Sequence, residues 1–385
     1  MTIPASSRAA DVIVIGAGIV GAACADALSA RGLQVMVIEQ ETVGSGATAA
    51  GMGHLVVMDD NAAELALSSY SISLWNELVS GEPQRHEYSN CGTIWIAADE
   101  EEMAAARGKA ETLSAHGLPC EMLSSQALYA REPQLRAGLA GGLLVWGDAL
   151  VYPPKSARIL LDRARTQGAS LVMGSVSRIE DNGVLLADGS RHQARYVVLA
   201  AGSRSSALLP SIPVQPKKGH VAITDRYPGF IRHQLVELGY IKSAHAASGD
   251  SVAFNLQPRP TGQILIGSSR QFGATDLAVE PEMMKRMLRH AATFTPALAQ
   301  LNMLRCWTGL RAATPDGLPL IGPGTAYRGL WLATGHEGLG ITTSLATAQL
   351  LAGQIMNEKT AISCAPYLPG RFHMVAEAAE TEVHA

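Results

Sequence analysis

The fold of the chain is decided by residues 11–39, which read DVIVIGAGIVGAACADALSARGLQVMVIE. The run Asp11–Ile15 is short, apolar and rich in β-branched residues, which predicts a buried strand. Residues 19–31 carry small and apolar side chains at helical spacing, with Gly32 as the stop signal, and residues 34–39 predict a second strand. Because a β-α-β connection of this length joins neighbouring strands, we expect the two strands to be parallel.

Three glycines lie between the first strand and the helix in the spacing Gly16-x-Gly18-x-x-Gly21. In this pattern the first glycine permits a tight turn, the second lets the backbone approach a pyrophosphate, and the third lets helix and strand pack closely. The free N–H groups of the helix N-terminus then face the phosphates. Glu39 ends the second strand, where its carboxylate can accept hydrogen bonds from both ribose hydroxyls and disfavours a 2′-phosphate. The sequence therefore predicts dinucleotide binding, and this motif alone does not decide between FAD and NAD.

Composition excludes several other classes of protein. The chain has 385 residues, 47% of them hydrophobic, and a net charge of −4, so we expect two or three domains and no nucleic-acid partner. No apolar run is long enough to span a bilayer, and the first ten residues lack the features of a signal peptide. The five cysteines are scattered and form no C-x-x-C, which predicts a reduced, cytoplasmic protein without its own iron–sulfur cluster or zinc.

The rest of the chain mixes helical and strand patterns. Asn182-Gly183 and Asp188-Gly189 predict hairpin turns, and residues 214–270 alternate mostly as strands. The fold class expected is α/β (α+β overall), with a Rossmann-like domain interleaved with a β-rich domain. Helices are predicted over residues 61–78, 99–116, 155–167, 281–294 and 341–356, and strands over 93–97, 170–173, 175–181, 183–186, 196–200 and 330–333.

Four further motifs resemble those of the D-amino-acid oxidase and glycine oxidase superfamily of FAD-dependent oxidoreductases. They are GSGATAAGM at residues 44–52, VLAAGS at 198–203, WTGLRAATPDGLPLIG at 307–322 and GHEGLGI at 335–341. Together with residues 11–39 they extend the resemblance over nearly the whole chain. The resemblance implies FAD as the cofactor. It also implies an FAD-binding domain from residues 1–85, 145–213 and 313–375, a substrate-binding domain from 86–144 and 214–312, and a peripheral tail over 376–385.

A narrower resemblance is to the bacterial D-hydroxyproline dehydrogenase β subunits, with hydrogen cyanide synthase C and opine oxidase B subunits as near relatives. It rests on GMGHLVVMD at residues 51–59 and GHEGLG at 335–340. It implies oxidation of the C–N bond of a small, cyclic D-amino acid. It also implies partner subunits that carry an iron–sulfur centre and a further flavin.

The superfamily resemblance assigns roles to individual residues. Arg311 is expected to anchor the substrate carboxylate, because a guanidinium makes a bidentate, charge-assisted contact with it. The helix that follows Gly340 is expected to stabilise the reduced flavin through its N-terminal N–H groups. The residues expected to contact FAD are Gly16, Gly18, Ile19, Val20, Gly21, Glu39, Gln40, Gly46, Ala47, Thr48, Ala50, Gly51, Met52, Val176, Ala200, Ala201, Gly202, Gly309, Arg311, Gly335, His336, Glu337, Gly338, Leu339, Gly340, Ile341 and Thr342.

The remaining candidates have alternatives that the sequence leaves open. His54 is expected near the substrate amine, as a proton acceptor or a contact to a ring hydroxyl, or else packs as a neutral side chain. Asn255 or Tyr240 is expected to contact the substrate where glycine oxidases use a tyrosine. Glu337 departs from the glycine oxidase pattern, and beyond the expected contact with FAD the sequence assigns it no role. Asp59-Asp60 and the helix 99–116 are either partner surfaces or solvated faces.

Several functions remain compatible with these motifs. The chain is expected to be a dehydrogenase. The alternatives are an oxidase that uses oxygen on glycine-type or sarcosine-type substrates, an opine or glycine dehydrogenase subunit, and a flavin-binding scaffold without catalysis. Dependence on NAD alone is a further alternative, which a bound flavin would exclude.

Overall fold

A computed structural model describes residues 10–239 and 249–372 of the chain. The helices, numbered in chain order over these residues, are α1 Ile19–Ser29, α2 Ala47–Ala50, α3 Ala62–Val79, α4 Glu100–Ala115, α5 Ser125–Arg131, α6 Pro153–Thr166, α7 Ser205–Leu208, α8 Pro281–Phe294 and α9 Gly340–Met356. The strands are β1 Ala10–Ile15, β2 Val35–Glu39, β3 His54–Leu55, β4 Thr93–Ala97, β5 Cys120–Ser124, β6 Gly141–Val145, β7 Ala149–Leu150, β8 Ser170–Met173, β9 Val176–Glu180, β10 Gly183–Leu186, β11 Arg191–Leu199, β12 Gln215–Thr224, β13 Gln234–Glu237, β14 Ser251–Pro258, β15 Ile264–Phe272, β16 Met303–Ala313, β17 Leu320–Pro323 and β18 Leu330–Thr334.

The first large sheet has the strand order β17-β18-β11-β1-β2-β8, with the β9–β10 hairpin attached to β11. β1 is parallel to both β2 and β11, which confirms the parallel pairing expected from residues 11–39. Helices α1, α6 and α9 pack together on one face, and their apolar residues join the same buried core. The two hairpin turns predicted beside β10 are also confirmed. This sheet and its helices form the Rossmann-like fold predicted from the sequence.

The second large sheet has the order β16-β12-β15-β14-β13-β4-β6-β5 and is antiparallel except for the β13–β4 pair. Helix α8 covers one face, where Phe254 stacks on Phe294 with ring centroids 4.5 Å apart. The other face is turned toward the nucleotide-binding motifs, and Val221 and Trp307 of this face cluster with Met52. The second sheet therefore forms a wall opposite the glycine motifs.

Sequence patterns located most elements but missed part of the second sheet. The predicted strands at 93–97, 170–173 and 183–186 and the helix at 281–294 have the observed bounds, and other predicted elements differ by a few residues. The strands β5, β6 and β16 were not predicted, and β16 carries Arg311. The interleaved domain boundaries stay a prediction, and the tail 376–385 and Tyr240 lie outside the described residues.

Asp59, which the sequence left open as a partner surface or a solvated face, has a partner within the protein. Asp59 is not a solvated loop residue or an open partner surface, because its carboxylate forms a largely buried ion pair with Lys109 of α4. The Lys109 ammonium also lies 4.5 Å from the centre of the Trp95 ring.

In the part of the chain that the structure describes, no helix is both long and apolar enough to cross a membrane.

Candidate active site

The first glycine turn is closed so tightly that side chains are excluded. Gly16 has a φ of +101°, and a Cβ there would lie 2.7 Å from the carbonyl oxygen of Ala200. A Cβ at Gly21 would lie 2.0 Å from the carbonyl oxygen of Gly16. Both contacts are far inside van der Waals distance, so the turn and its close approach to the VLAAGS segment require glycine. The motif thus has the close-packed geometry that its sequence predicted.

Hydrogen bonds join this turn to two other predicted elements. Glu39 is buried at the end of β2, and its carboxylate accepts from the backbone N–H of Ala17 at 2.6 Å. The Thr48 hydroxyl accepts from the N–H of Ile19 at 3.0 Å, which ties the second glycine loop to the start of α1. Gly18 is the N-cap of α1 and brings no capping side chain. This glycine cradle, with an acid at the strand end, fits the pyrophosphate and ribose of FAD.

The second glycine loop, residues 44–52, contacts both motifs from the C-terminal part of the chain. The indole N–H of Trp307 donates to the carbonyl oxygen of Ala50 at 3.1 Å. A Cβ at Gly309 would lie 2.4 Å from the Ala50 Cβ, and one at Gly51 would lie 2.8 Å from the Ile341 Cδ1. The structure therefore brings together motifs that are separated by more than 250 residues in the sequence.

The strand-end residues Gln40 and Val176 lie at the same edge of the first sheet as Glu39. The hydroxyl of Ser175, next to Val176, donates to the Gln40 side-chain oxygen at 3.1 Å. The N–H of Gly174 donates to the carbonyl oxygen of Glu39 at 2.8 Å. Their predicted contact with FAD stays a prediction, and their placement beside Glu39 is compatible with it.

The loop GHEGLGI is fixed by its own side chains. His336 is buried, its Nε2 lies 3.0 Å from the Thr347 hydroxyl of α9, and burial lowers its pKa to about 4. The Thr342 hydroxyl donates to the carbonyl oxygen of His54 at 3.0 Å, so the same helix also holds β3. Helix α9 begins at Gly340 without a capping side chain. The neutral His336 therefore shapes the loop, and among the described residues no side chain accepts from the N–H groups of the first turn of α9.

Arg311 lies on the face of β16 that is turned toward these motifs. Its Nη1 donates to the carbonyl oxygen of Ser269 at 3.0 Å, and its guanidinium extends across Gly219 of the neighbouring strand. A Cβ at Gly219 would lie 2.7–2.8 Å from the guanidinium atoms, so glycine leaves the space that Arg311 occupies. A Cβ at Gly338 would lie 3.9 Å from the Arg311 Nε. Arg311 is thus next to the loop predicted to face the flavin.

Glu337 lies beside Arg311 within a group of basic residues. Its carboxylate is 3.2 Å from the Lys217 ammonium and 4.0 Å from the Arg270 guanidinium. Burial alone would raise the pKa of Glu337, but the charges of Arg270, Arg311 and Lys217 outweigh it and lower that pKa to about 2. Glu337 is therefore ionised at any working pH. By contrast, Arg311 has no carboxylate within ion-pair distance among the residues that the structure describes.

His54 and Asn255 lie on different elements, β3 of the two-stranded β3–β7 sheet and β14 of the second large sheet. The Nε2 of His54 and the Oδ1 of Asn255 are buried without a hydrogen-bond partner in the described part of the chain. Burial, with a smaller contribution from the charge of Arg259, lowers the pKa of His54 to about 4. Asn255 is on β14, which β15 and β12 separate from Arg311 on β16. Unpartnered buried polar atoms are costly, so both side chains are suited to meet a ligand.

Sequence reasoning missed Lys217, Arg270 and Gly219, and it gave Glu337 no role beyond the expected contact with FAD. One signal was available: adjacent lysines in a strand point to opposite faces, so the pair at 217 and 218 must place one lysine on the inner face. The contact with Glu337 was not accessible from the sequence, because it depends on the register between β12 and β16. That register sets Lys217 directly opposite Arg311.

Comparisons with known proteins agree with this geometry. Residues 11–354 match the DAO family, described as FAD dependent oxidoreductase. A glycine oxidase of Pseudomonas aeruginosa is 30% identical, and the match covers 93% of this chain and 98% of that protein. The hydrogen cyanide synthase subunit HcnC of the same organism is 26% identical over 95% of this chain and 97% of its own length.

Solved structures give the same result for the fold. The crystal structure of glycine oxidase from Geobacillus kaustophilus superimposes with a TM-score of 0.83 at 28% identity, covering 94% of this chain and 98% of that one. The structure of L-proline dehydrogenase from P. horikoshii superimposes with a TM-score of 0.86 over 95% of this chain and 98% of that one. At 23% identity the second likeness concerns the fold alone.

Proposed function

The chain belongs to the DAO family of FAD-dependent oxidoreductases, which act on amino-acid C–N bonds, and we propose that it dehydrogenates a small cyclic D-amino acid such as hydroxyproline. When bound, FAD supplies the acceptor, at flavin N5, for the hydride that leaves the substrate Cα. The identity of the substrate rests on the sequence motifs at residues 51–59 and 335–340. The chain's own residues are proposed to bind and orient that substrate.

The observation that carries the proposal is Arg311. Its guanidinium is on the inner face of the second sheet, next to Gly338, and has no protein carboxylate as partner within the described ranges. A part-buried guanidinium without a carboxylate in direct ion-pair contact can bind an anion, and a carboxylate is the group that matches its planar fork. Anchoring the carboxylate fixes the orientation of the Cα–H, which is what hydride transfer requires of the protein.

His54 is proposed to contact the substrate rather than to take its proton. With a pKa of about 4, the imidazole is a weak base near neutral pH, because most of its basicity is lost to burial. Its unpartnered Nε2 can still accept or donate a hydrogen bond to an amine or a ring hydroxyl. Asn255 is proposed to make a second polar contact, and Tyr240 stays a prediction.

The test is anaerobic reduction of the bound flavin by D-proline, cis-4-hydroxy-D-proline, glycine and sarcosine, followed by absorbance. We expect rapid bleaching by one of the two cyclic D-amino acids and slower bleaching, or none, by the others. If glycine or sarcosine bleaches the flavin fastest, the cyclic substrate is wrong. If no compound bleaches a fully loaded protein, the cyclic substrate is wrong, and the result favours an opine-type substrate or a subunit that needs its partner.

A second candidate uses oxygen directly as the electron acceptor. It is supported by the relative named glycine oxidase, which is 30% identical to this chain. The measurement is peroxide formed when the reduced, purified chain is exposed to air. Stoichiometric peroxide within seconds would favour the oxidase, whereas reoxidation over many minutes would favour a dehydrogenase.

We also propose that the chain works with partner subunits that carry iron–sulfur and further flavin, and that it is cytoplasmic. Support for partners comes from the relative named as a subunit of hydrogen cyanide synthase. Purification of the tagged chain from its native host, followed by iron and flavin analysis, tests the complex. One flavin per chain and no iron in the native preparation would contradict it.

A further inference from the structure

Glu337 places a protein carboxylate inside the basic group that surrounds the proposed substrate anchor. The carboxylate contacts Lys217 of β12 at 3.2 Å and Arg270 of β15 at 4.0 Å. Lys217 is directly opposite Arg311 in the β12–β16 register. An anion bound by Arg311 and the carboxylate of Glu337 therefore lie next to each other.

The position of Glu337 is set by its backbone. Its N–H donates to the carbonyl oxygen of Ala312 at 2.7 Å, immediately after Arg311 in the sequence. Its φ of +48° is in the left-handed region, which non-glycine residues rarely adopt. Its carboxylate also accepts from the N–H of Gly338 at 2.9 Å. Such constraints fix this side chain against the strand that carries the anchor.

The charge of Glu337 has two effects on a ligand at Arg311. It neutralises Lys217, which otherwise would be a second binding group for an anion. It also repels a further negative charge nearby, and this repulsion is strong because the side chains of Glu337 and Lys217 are 17% and 16% exposed, so water screens them poorly. A substrate with one carboxylate binds Arg311 with that group. The second carboxylate of a dicarboxylic substrate would be repelled by Glu337.

We propose that Glu337 determines specificity: its carboxylate occupies the subsite that Lys217 would otherwise offer to a second substrate carboxylate. The site consequently accepts amino acids with a single carboxylate and rejects dicarboxylic ones. This inference rests on the proposed role of Arg311 as the carboxylate anchor. It assigns a function to the residue at which the chain departs from the glycine oxidase pattern.

The test compares two ligands that differ by one charge. Malonate and malonamate have nearly the same shape, and only malonate carries the second carboxylate. Binding to the FAD-loaded protein is measured from the change in the flavin absorbance spectrum, which needs no turnover. For Glu337→Gln we expect the ratio of malonate affinity to malonamate affinity to rise about tenfold or more, with malonamate affinity changed less than about threefold.

Two further variants locate the effect. In the double variant Glu337→Gln with Lys217→Gln, the gain in malonate affinity should be lost, because the cation that receives the second carboxylate is gone. Glu280→Gln is the matched control: Glu280 pairs with Lys218, the next residue of β12, on the opposite face of the sheet. That control should leave the malonate-to-malonamate ratio unchanged.

Turnover gives a second measure of the same discrimination. The ratio of kcat/KM for D-aspartate to that for D-asparagine should rise in Glu337→Gln in parallel with the binding ratio. If Glu337→Gln loses its FAD, the single variant Lys217→Gln tests the same role. In that variant the ratio of malonate affinity to malonamate affinity should fall instead of rise.

The outcomes separate the inference from the function on which it rests. If malonamate binds the wild type but the ratio stays constant in Glu337→Gln, or both ligands gain equally, the specificity role is overturned and the anchor stands. If malonamate does not bind the wild type, the anchor fails and the inference fails with it.

Discussion

Lys217 and Lys218 are neighbours in β12, yet they lie in opposite chemical settings because they point to opposite faces of one sheet. Lys218 is fully buried and contacts two carboxylates, Asp276 at 3.0 Å and Glu280 at 3.1 Å. Lys217 contacts one carboxylate, Glu337, which the charges of Arg270 and Arg311 also influence. On the outer face a cation is paired with acids, whereas on the inner face the Arg311 guanidinium forms no ion pair with a carboxylate of the described residues.

The difference between Lys217 and Lys218 shows how a structural ion pair can be distinguished from a binding site. A charge-assisted hydrogen bond from Lys218 lowers the pKa of Asp276, and hydrogen bonds from Gln271 and then from Lys218 lower the pKa of Glu280, so that group is complete within the protein. The inner group includes Arg311, for which we propose a substrate carboxylate as the partner. Carboxyl groups with a shifted pKa occur in both settings, so the shift alone does not identify a binding site. The decisive feature is whether the cation is paired with a carboxylate of the protein.

The largest expected effect comes from removing the unmatched cation. Arg311→Met should lower kcat/KM about a thousandfold, because a charge-assisted anchor and the orientation it provides are lost together. Steady-state kinetics and flavin content measure it. Arg305→Met, on the same strand but exposed, is the control and should change kcat/KM less than about twofold. Equal kcat/KM in Arg311→Met and wild type would contradict the role of Arg311 as the carboxylate anchor.

A smaller effect should follow from displacing the guanidinium without removing it. In Gly219→Ala the new Cβ meets guanidinium atoms at 2.7–2.8 Å, so Arg311 must move. We expect kcat/KM to fall roughly ten- to a hundredfold, through KM more than through kcat. Gly108→Ala, where a Cβ meets nothing within 4 Å, is the matched control and should be silent. An unchanged kcat/KM in Gly219→Ala would show that activity does not depend on the position of the Arg311 guanidinium.

His54, a buried residue of β3, shows how large an effect a group without charge should have. His54→Gln should lower kcat/KM by less than about tenfold and leave the shape of its pH profile unchanged between pH 6 and 9. The reason is that a folded-state pKa of about 4 keeps His54 neutral over that whole range. Loss of an ionisation near pH 6–7 in the variant would instead identify His54 as a titrating base.

The smallest effect on activity is expected on the outer face. Lys218→Met keeps the length of the buried side chain but removes its charge, and kcat/KM should change less than about twofold. Because the two partner carboxylates are exposed, the stability effect should also be small, a Tm lower by roughly 2–4 °C. Differential scanning fluorimetry and kinetics measure both quantities. A large loss of activity would mean that the two faces are not independent.

Local signals were sufficient for much of the fold. The strand, the glycine turn and the acid at residues 11–39 predicted a parallel pair, and β1 and β2 are parallel. Helix α8 and strand β4 have the bounds predicted from periodicity and turn residues. Strand β16 was missed because its inner face carries Arg305, Trp307, Gly309 and Arg311, a mixture that gives no clean alternation of apolar and polar residues. The family motifs pointed to Arg311 through the resemblance alone.

The sequence by itself determined the nucleotide fold, because glycine turns and strand–helix alternation are enforced by backbone sterics within a few residues. Its motifs identified the family and the proposed anchor through resemblance. Only the tertiary structure decided what surrounds that anchor. Glu337, Lys217 and Gly219 come from separate segments, and they meet Arg311 only through the register of β12 against β16 and the path of the loop after β18. Charge partners are chosen by such long-range packing, and no local pattern in the chain encodes them.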